Sequence, residues 1–313
     1  MNTTKTRIDR LTAEAVAFIR RAEPLALKMD ARGIHVAFSG GKDSQVLLAL
    51  VEMAGVRHHA EMQLTSVDPP QVVRFVRENY PQVYLNRPRT TMYQLITKTH
   101  ILPTSIIRYC CLEFKEFAGR GSVTATGIRR AESARRKKRN AVEMCNKNGE
   151  SYEINGEELV ELEEKTFFSA ERKETVHCVG NKDEVIINPI LDWTDADVWG
   201  FLDYHGIPHC SLYDMGYKRI GCILCPMATR KIAEKDLRNF PRFVEKVYLR
   251  AIRTLRTQGY YADFLDEYEV LDWWLSKKNK EDYFKGKEYE RRRSEKLLPI
   301  IQSCIEGKEI NNK

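Results

Sequence analysis

Ser39-Gly40-Gly41-Lys42-Asp43-Ser44 follows directly on the apolar run Ile34-His35-Val36-Ala37-Phe38 and precedes Gln45-Val46-Leu47-Leu48-Ala49-Leu50. This order predicts a strand that enters a glycine turn and leaves it as a helix. Two adjacent glycines permit the tight bend and bring backbone N–H groups close to a ligand. The helix that follows aims its positive end at the same spot, which suits a pyrophosphate or a sulfate. The spacing matches neither G-x-x-x-x-G-K-[ST] nor G-x-G-x-x-G, so a P-loop and a dinucleotide fingerprint are both excluded.

The flanking sequence repeats this rhythm. Residues 60–67, 83–85, 123–126 and 185–187 read as further strands. Residues 11–29, 43–53, 71–79 and 91–99 read as helices, with Pro24 a point of interruption in the first and Pro69 or Pro70 opening the third. Short strands alternating with helices predict an α/β fold, a parallel sheet with helices on both faces. Ligands of such sheets gather beyond the carboxyl ends of the strands, where residues 39–44, Asp68 and residues 127–130 all fall. A polar stretch at about 139–183 breaks the pattern and reads as an insertion, either a lid or a surface excursion, with Asn155-Gly156 as a hairpin turn. Beyond Cys225 the spacing is helical, over residues 243–255 and 261–275. The expected organisation is a nucleotide-binding α/β domain at 1–230 and a helical region at 231–313.

The chain has 313 residues, enough for a substantial core, and an ordinary balance of 42% hydrophobic and 30% charged residues. No run approaches twenty apolar residues and the first residues lack the apolar core of a secretory signal, so no membrane partner is expected and the location expected is cytoplasmic. A formal charge of +7 is compatible with a nucleic-acid partner, and equally with a site for nucleotide phosphates. Eight cysteines without an export signal argue against a disulfide framework.

The hexapeptide resembles the PP-loop of the adenine nucleotide alpha hydrolase-like superfamily. A second block narrows the likeness: Asn188-Pro189-Ile190-Leu191-Asp192-Trp193, then Asp195-Ala196-Asp197-Val198-Trp199, Ile207-Pro208, Leu212-Tyr213-Asp214-Met215-Gly216-Tyr217 and Ile220-Gly221-Cys222-Ile223-Leu224-Cys225. This order is similar to the phosphoadenosine phosphosulfate reductase family over roughly residues 30–230. The resemblance implies a Rossmann-like sheet and an adenine nucleotide as substrate. Ser39, Gly40, Gly41, Lys42 and Ser44 are then the phosphate cradle, with Lys42 as a mobile point charge. Asp43 either caps the helix or positions Mg2+ if ATP is bound. Asp68 either contacts the nucleotide or a metal, or is a turn residue before two prolines. Gly127-Ile128-Arg129-Arg130-Ala131-Glu132-Ser133-Ala134-Arg135 looks like the family's G-x-R…E-S…R signature, in which Arg129 and Arg135 reach phosphate and Glu132 orients an arginine.

Cys110-Cys111 and Cys222-Ile223-Leu224-Cys225 resemble the four-cysteine pattern that holds a [4Fe–4S] cluster in iron–sulfur sulfonucleotide reductases. Thiolates are soft ligands that suit iron–sulfur clusters or, as the alternative metal, zinc. A vicinal pair strains to reach a single ion, whereas a four-iron cube offers separated corners. Cys145, Cys178 and Cys210 read as reduced structural thiols or, with one more ligand such as His209, as a separate metal site.

Three activities follow from the resemblance. The favoured one is ATP-dependent adenylyl or sulfur transfer, with attack at the α-phosphate, release of pyrophosphate, and a nucleic acid or small molecule as acceptor. Lys42 and Arg129 carry the charge stabilisation. The alternative is a sulfonucleotide reductase that forms sulfite with a thioredoxin-like reductant and a cysteine nucleophile. Cys304 has the terminal position for that role, but Gln302-Ser303-Cys304-Ile305-Glu306-Gly307 departs from the family's Glu-Cys-Gly tail. The third is a regulatory nucleotide binder without turnover.

Overall fold

The computed structural model describes residues 2–115, 118–145, 151–153 and 184–285. By its contacts the chain divides into two compact units, neither continuous in sequence. The first comprises Met1–Gln63, Pro70–Asn86 and Phe114–Ile220; the second comprises Leu64–Pro69, Arg87–Glu113 and Gly221–Lys313. The boundary therefore differs from one drawn at residue 230, because two upstream excursions join the later helical region.

The first unit is built on a seven-stranded sheet. In chain order the strands are β1 (Ile34–Phe38), β2 (His58–Gln63), β3 (Tyr84–Asn86), β4 (Val123–Ala125), β5 (Val142–Cys145), β6 (Ser151–Glu153) and β7 (Glu184–Ile187). Their spatial order is β3-β2-β1-β4-β7-β5-β6. The five strands from β3 to β7 are parallel, with Val36 opposite Ala60 on one side and Ala125 on the other. Ile34, Val36, Val123, Ala125 and Ile187 are fully buried, as central parallel strands covered by helices require. The connection from β1 runs outward to β2 and β3, and the next strand, β4, returns to the other flank of β1. That reversal leaves a crevice between the loops that follow β1 and β4, where open α/β sheets bind ligands.

The expected parallel sheet carries an antiparallel extension at one edge: β5 pairs antiparallel with β7, and β6 antiparallel with β5. The described part of the expected insertion extends the sheet at its edge. Asn155-Gly156 lies outside the described residues. The first helix, α1 (Asn2–Met29), is longer than expected and continues through Pro24. Its stripe of Ile8, Ala15, Ile19, Ala22 and Ala26 is buried, and it packs on α2 (Lys42–Ala54), β1 and β4. Helix α3 (Pro70–Asn79) opens on Pro70, where a missing N–H costs nothing.

The second unit is helical. It holds α4 (Met92–Thr99), most of α5 (Tyr109–Phe114), α6 (Arg230–Asn239), a helical run over residues 241–257 with a π turn at Glu245–Leu249, and α7 (Glu267–Ser276). Thr91 and Gln94 close α4 with a capping box. Trp274 is buried and donates its indole N–H to the Pro103 carbonyl at 2.6 Å, so this tryptophan is a packing residue rather than a stacking platform. Residues 261–266, expected to be helical, are irregular, with Tyr261 at a φ of 57°.

Candidate nucleotide site and cysteine cluster

The crevice of the first unit is lined by Ser39, Gly41, Asp43 and Ser44 from the β1 loop, by Gly127, Ile128, Glu132 and Arg136 after β4, and by Tyr213, Arg219 and Ile220. The loop is held before any ligand arrives. The Ser39 N–H donates to Ser44 Oγ at 3.2 Å, and Ser44 Oγ donates to the Gly41 carbonyl at 2.8 Å. The Lys42 N–H donates to the Tyr213 hydroxyl at 2.8 Å. Burial raises the Tyr213 phenol well above its usual range, so it stays neutral. The N-cap of α2 is Gly41, without a side-chain cap, and Asp43 stands in the first turn. Gly127 brings the second loop against the first: a Cβ there would lie 3.0 Å from the Asp43 carbonyl carbon and oxygen. Only a glycine lets two backbones approach so closely.

The two cations singled out in the sequence sit behind this lining. Lys42 is 3% exposed and Arg129 1% exposed. Lys42 Nζ lies 3.0 Å from an Asp43 oxygen and 3.2 Å from Asp195 Oδ1. Arg129 spends Nε on Asp43 Oδ1 at 2.6 Å, one terminal nitrogen on Asp195 Oδ1 at 2.6 Å and the other on the Trp193 carbonyl at 3.1 Å. Two buried cations are thereby neutralised by two carboxylates, which is what makes their burial tolerable. Asp195 opens the helix α8 (Asp195–Tyr204), which Thr194 and Asp197 close with a capping box. Burial pushes the Asp195 carboxyl up, but Lys42 and Arg129 outweigh it and hold the group below the usual range.

A second charge cluster faces the crevice. Glu132 takes a hydrogen bond from the Arg129 backbone N–H at 3.1 Å, pairs with Arg136, and lies 3.3 Å from Arg219. Two short 3-10 turns, Arg130–Glu132 and Arg136–Lys138, turn Glu132 and Arg136 toward each other. Burial, reinforced by Arg219, pushes Arg136 down to about 10, so it remains charged at neutral pH.

Of the sequence candidates, Ser39, Gly41, Asp43, Ser44 and Gly127 line the crevice, Lys42 and Arg129 stand one layer behind, and Gly40 packs on α3. Arg135 is exposed and does not line it; its neighbour Arg136 does. Asp68 belongs to the second unit, where it accepts the Thr65 N–H at 2.6 Å and the Thr65 hydroxyl at 3.0 Å. Arg136 had no strong sequence signal, being one charge in a basic run, and Asp195 stood in the family-like block without an assigned role; only the fold sets it against Lys42 and Arg129.

All four expected metal-ligating cysteines, Cys110, Cys111, Cys222 and Cys225, belong to the second unit. None forms a disulfide. A hydrogen bond to Cys111, burial and the charge of Cys222 and Cys225 drive the Cys110 thiol far up. The loop carrying the later pair is held rigidly. The Ile223 N–H donates to the Val67 carbonyl at 2.8 Å, the Leu224 N–H to Asp236 at 2.9 Å, and the buried Tyr248 hydroxyl to the Ile223 carbonyl at 2.8 Å. Leu224 takes a φ of 51° to make the turn. Among the described residues no three His, Cys, Asp or Glu side chains converge as ligands of one ion. Four thiolates on one zinc lie about 3.8 Å apart at 2.3 Å bonds, whereas the corners of a cube space them more widely. Cys210 is buried; Cys178 and Cys304 lie outside the described residues. Among the described residues no helix is long and apolar enough to cross a membrane.

A family model described as the phosphoadenosine phosphosulfate reductase domain matches residues 33–228. An uncharacterized protein of Methanocaldococcus jannaschii is 25% identical over 270 residues, covering 85% of this chain and 57% of its own length. A phosphoadenosine 5'-phosphosulfate reductase of Xylella fastidiosa is 33% identical over 87 residues, 26% of this chain and 35% of that protein. Among solved structures, a phosphoadenylyl-sulfate reductase from Candida auris in a phosphate complex aligns with a TM-score of 0.41 at 16% identity, over 69% of this chain and 93% of that one. The match thus spans about half the length, or less, of the curated relatives.

Proposed function

The chain belongs to the phosphoadenosine phosphosulfate reductase family, and we propose that its first unit binds ATP and directs chemistry to the α-phosphate. An acceptor oxygen attacks the α-phosphorus, the α–β P–O bond breaks, its electron pair leaves with pyrophosphate, and the acceptor proton passes to solvent. A sulfur nucleophile can then displace AMP from the adenylylated acceptor, which is a nucleic acid or a small molecule. Backbone N–H groups of residues 39–44 bind phosphate, and Lys42, Arg129, Arg136 and Arg219 offset the charge that develops.

The observation that carries this reading is the charge balance of the crevice. Lys42, Arg129, Arg136 and Arg219 face Asp43, Asp195 and Glu132. The net surplus is small, and Asp43 lies in the lining itself. A carboxylate at that position suits a polyphosphate that arrives with Mg2+, which Asp43 would meet.

Cys110, Cys111, Cys222 and Cys225 would hold a [4Fe–4S] cluster: all four are free thiols, and all four belong to one unit. Bound there, a cluster supplies a staple for the unit and a centre for electron or sulfur exchange. Zinc is the competing metal.

A second reading is favoured by the match to a protein named as a reductase. In it, adenylyl sulfate or its 3′-phosphate form is reduced to sulfite, with Cys304 as nucleophile and a thioredoxin-like protein as reductant. An anaerobic panel of ATP, adenylyl sulfate and 3′-phosphoadenylyl sulfate, with and without reduced thioredoxin, separates the readings by mass analysis of products. We expect pyrophosphate from ATP, lost in Lys42→Ala and Arg129→Ala and kept in Cys304→Ser. Sulfite release with an S-sulfonate on Cys304 overturns the first reading in favour of the second. Nucleotide affinity without pyrophosphate, AMP or sulfite refutes both and leaves a regulatory binder.

A further inference from the structure

Lys42 and Arg129 are the cations a phosphate on the β1 loop needs, yet both are buried and both are already spent on carboxylates. A bound phosphate gains them only by replacing an anion. The two candidates differ sharply. The Asp43 side chain is 18% exposed and lies within the lining, whereas that of Asp195 is 73% exposed. The same oxygen of Asp195, Oδ1, reaches Lys42 Nζ at 3.2 Å and Arg129 at 2.6 Å, so one rotation of one side chain opens a position on both cations together while Asp43 keeps its own contact with each. The swing carries the carboxylate into water while leaving it in the first turn of α8, where the helix dipole still favours a negative charge. The capping box of that helix is made by Thr194 and Asp197, so it does not depend on Asp195. With Asp195 gone, Asp43 alone would face two buried cations and leave one charge uncompensated, so Asp195 should leave only as another anion enters.

We propose that Asp195 is a stand-in anion for substrate phosphate, holding Lys42 and Arg129 until a polyphosphate displaces it, and so determining which ligands reach those two cations. This rests on the nucleotide reading of the crevice. A ligand must offer non-bridging oxygens to both cations at once, which a polyphosphate does and an uncharged nucleoside cannot. Asp195 therefore acts as a specificity-determining residue: it sets a threshold that phosphate-bearing ligands cross and others do not meet.

The test is calorimetric titration of the full chain and of Asp195→Asn with ATP, inorganic pyrophosphate and adenosine. Asp195→Ala serves as a second variant, and Asp192→Asn as a control for general charge. Asp192 is exposed and pairs with Arg130 instead. Removing the competitor should tighten ATP and pyrophosphate about tenfold, the scale of one charge-assisted hydrogen bond. Adenosine should be unchanged in every variant, and Asp192→Asn should alter ATP affinity by less than about twofold, as exposed charges do. Lys42 should also become more reactive to an amine-modifying reagent in Asp195→Asn, and ATP should protect it. If the wild type binds ATP in a Lys42-dependent way but Asp195→Asn and Asp195→Ala bind it no more tightly, the stand-in role is refuted while the nucleotide reading stands. An equal gain in Asp192→Asn refutes it as well, since the effect would be net charge alone. If the wild type binds neither ATP nor pyrophosphate, both ideas fall.

Discussion

Gly40→Ala tests whether the β1 loop is the rigid element on which phosphate binding depends. Gly40 sits at a φ of 70°, where an L side chain costs about 1 kcal/mol. A Cβ at this position would lie 2.8 Å from Val72 Cγ1 and 2.8 Å from Val76 Cγ2. Both valines are buried on α3 and, being β-branched in a helix, have few rotamers to retreat into, so the overpacking adds roughly 2 kcal/mol. The sum is about 3 kcal/mol, which lowers the melting temperature by about 10 °C at roughly 2–4 °C per kcal/mol for a unit of this size. Scanning calorimetry with and without ATP measures both the loss of stability and the loss of the ligand-induced shift. In a double-mutant cycle, Val76→Ala should cost about 1 kcal/mol less on the Gly40→Ala background than alone, because it removes one of the two clashes. A Gly40→Ala protein that melts within 2 °C of wild type and binds ATP unchanged would refute the argument.

Arg7 holds the Asp197 carboxyl far below its ordinary range against the opposing effect of burial. Because the folded value is depressed, the contribution is present above about pH 4 and lost as pH falls below it. Asp197→Asn should therefore lower stability at pH 7 and flatten the acid limb of urea unfolding measured from pH 7 to pH 3. Tyr248→Phe leaves the Ile223 carbonyl without its 2.8 Å donor; a loss of about 1–2 kcal/mol is expected in urea unfolding, and no loss would show that the cysteine loop is not held there. Anaerobic purification should yield about four irons per chain, removed with the visible absorbance in Cys222→Ser and Cys225→Ser, whereas stoichiometric zinc would reverse the metal assignment. Arg219→Ala should weaken ATP about five- to tenfold by titration while leaving adenosine unaffected, as loss of one charge-assisted contact predicts.

Much of the scaffold was legible in the linear chain because its determinants are local. The run at 34–38, the two glycines and the helix after them specify a strand, turn and helix through contacts a few residues apart, and β1 and α2 match that expectation within a residue. Thr91 with Gln94 and Thr194 with Asp197 mark helix starts by pairs three residues apart. Cys110, Cys111, Cys222 and Cys225 were picked out by residue type and spacing, and the fold puts all four in one unit. What was not legible was the partner of each charge. Arg129 meets Asp43 across 86 residues and Asp195 across 66, separations that composition and periodicity do not encode. Lys42 and Arg135 were both expected at the phosphate; only the order of β1, β4 and β7 in the sheet decides that Lys42 is locked behind the crevice, that Arg135 faces water and that Arg136 lines the crevice in its place. Backbone shape follows from steric preferences within a few residues, whereas a buried charge takes whichever partner the folded sheet brings within hydrogen-bonding distance.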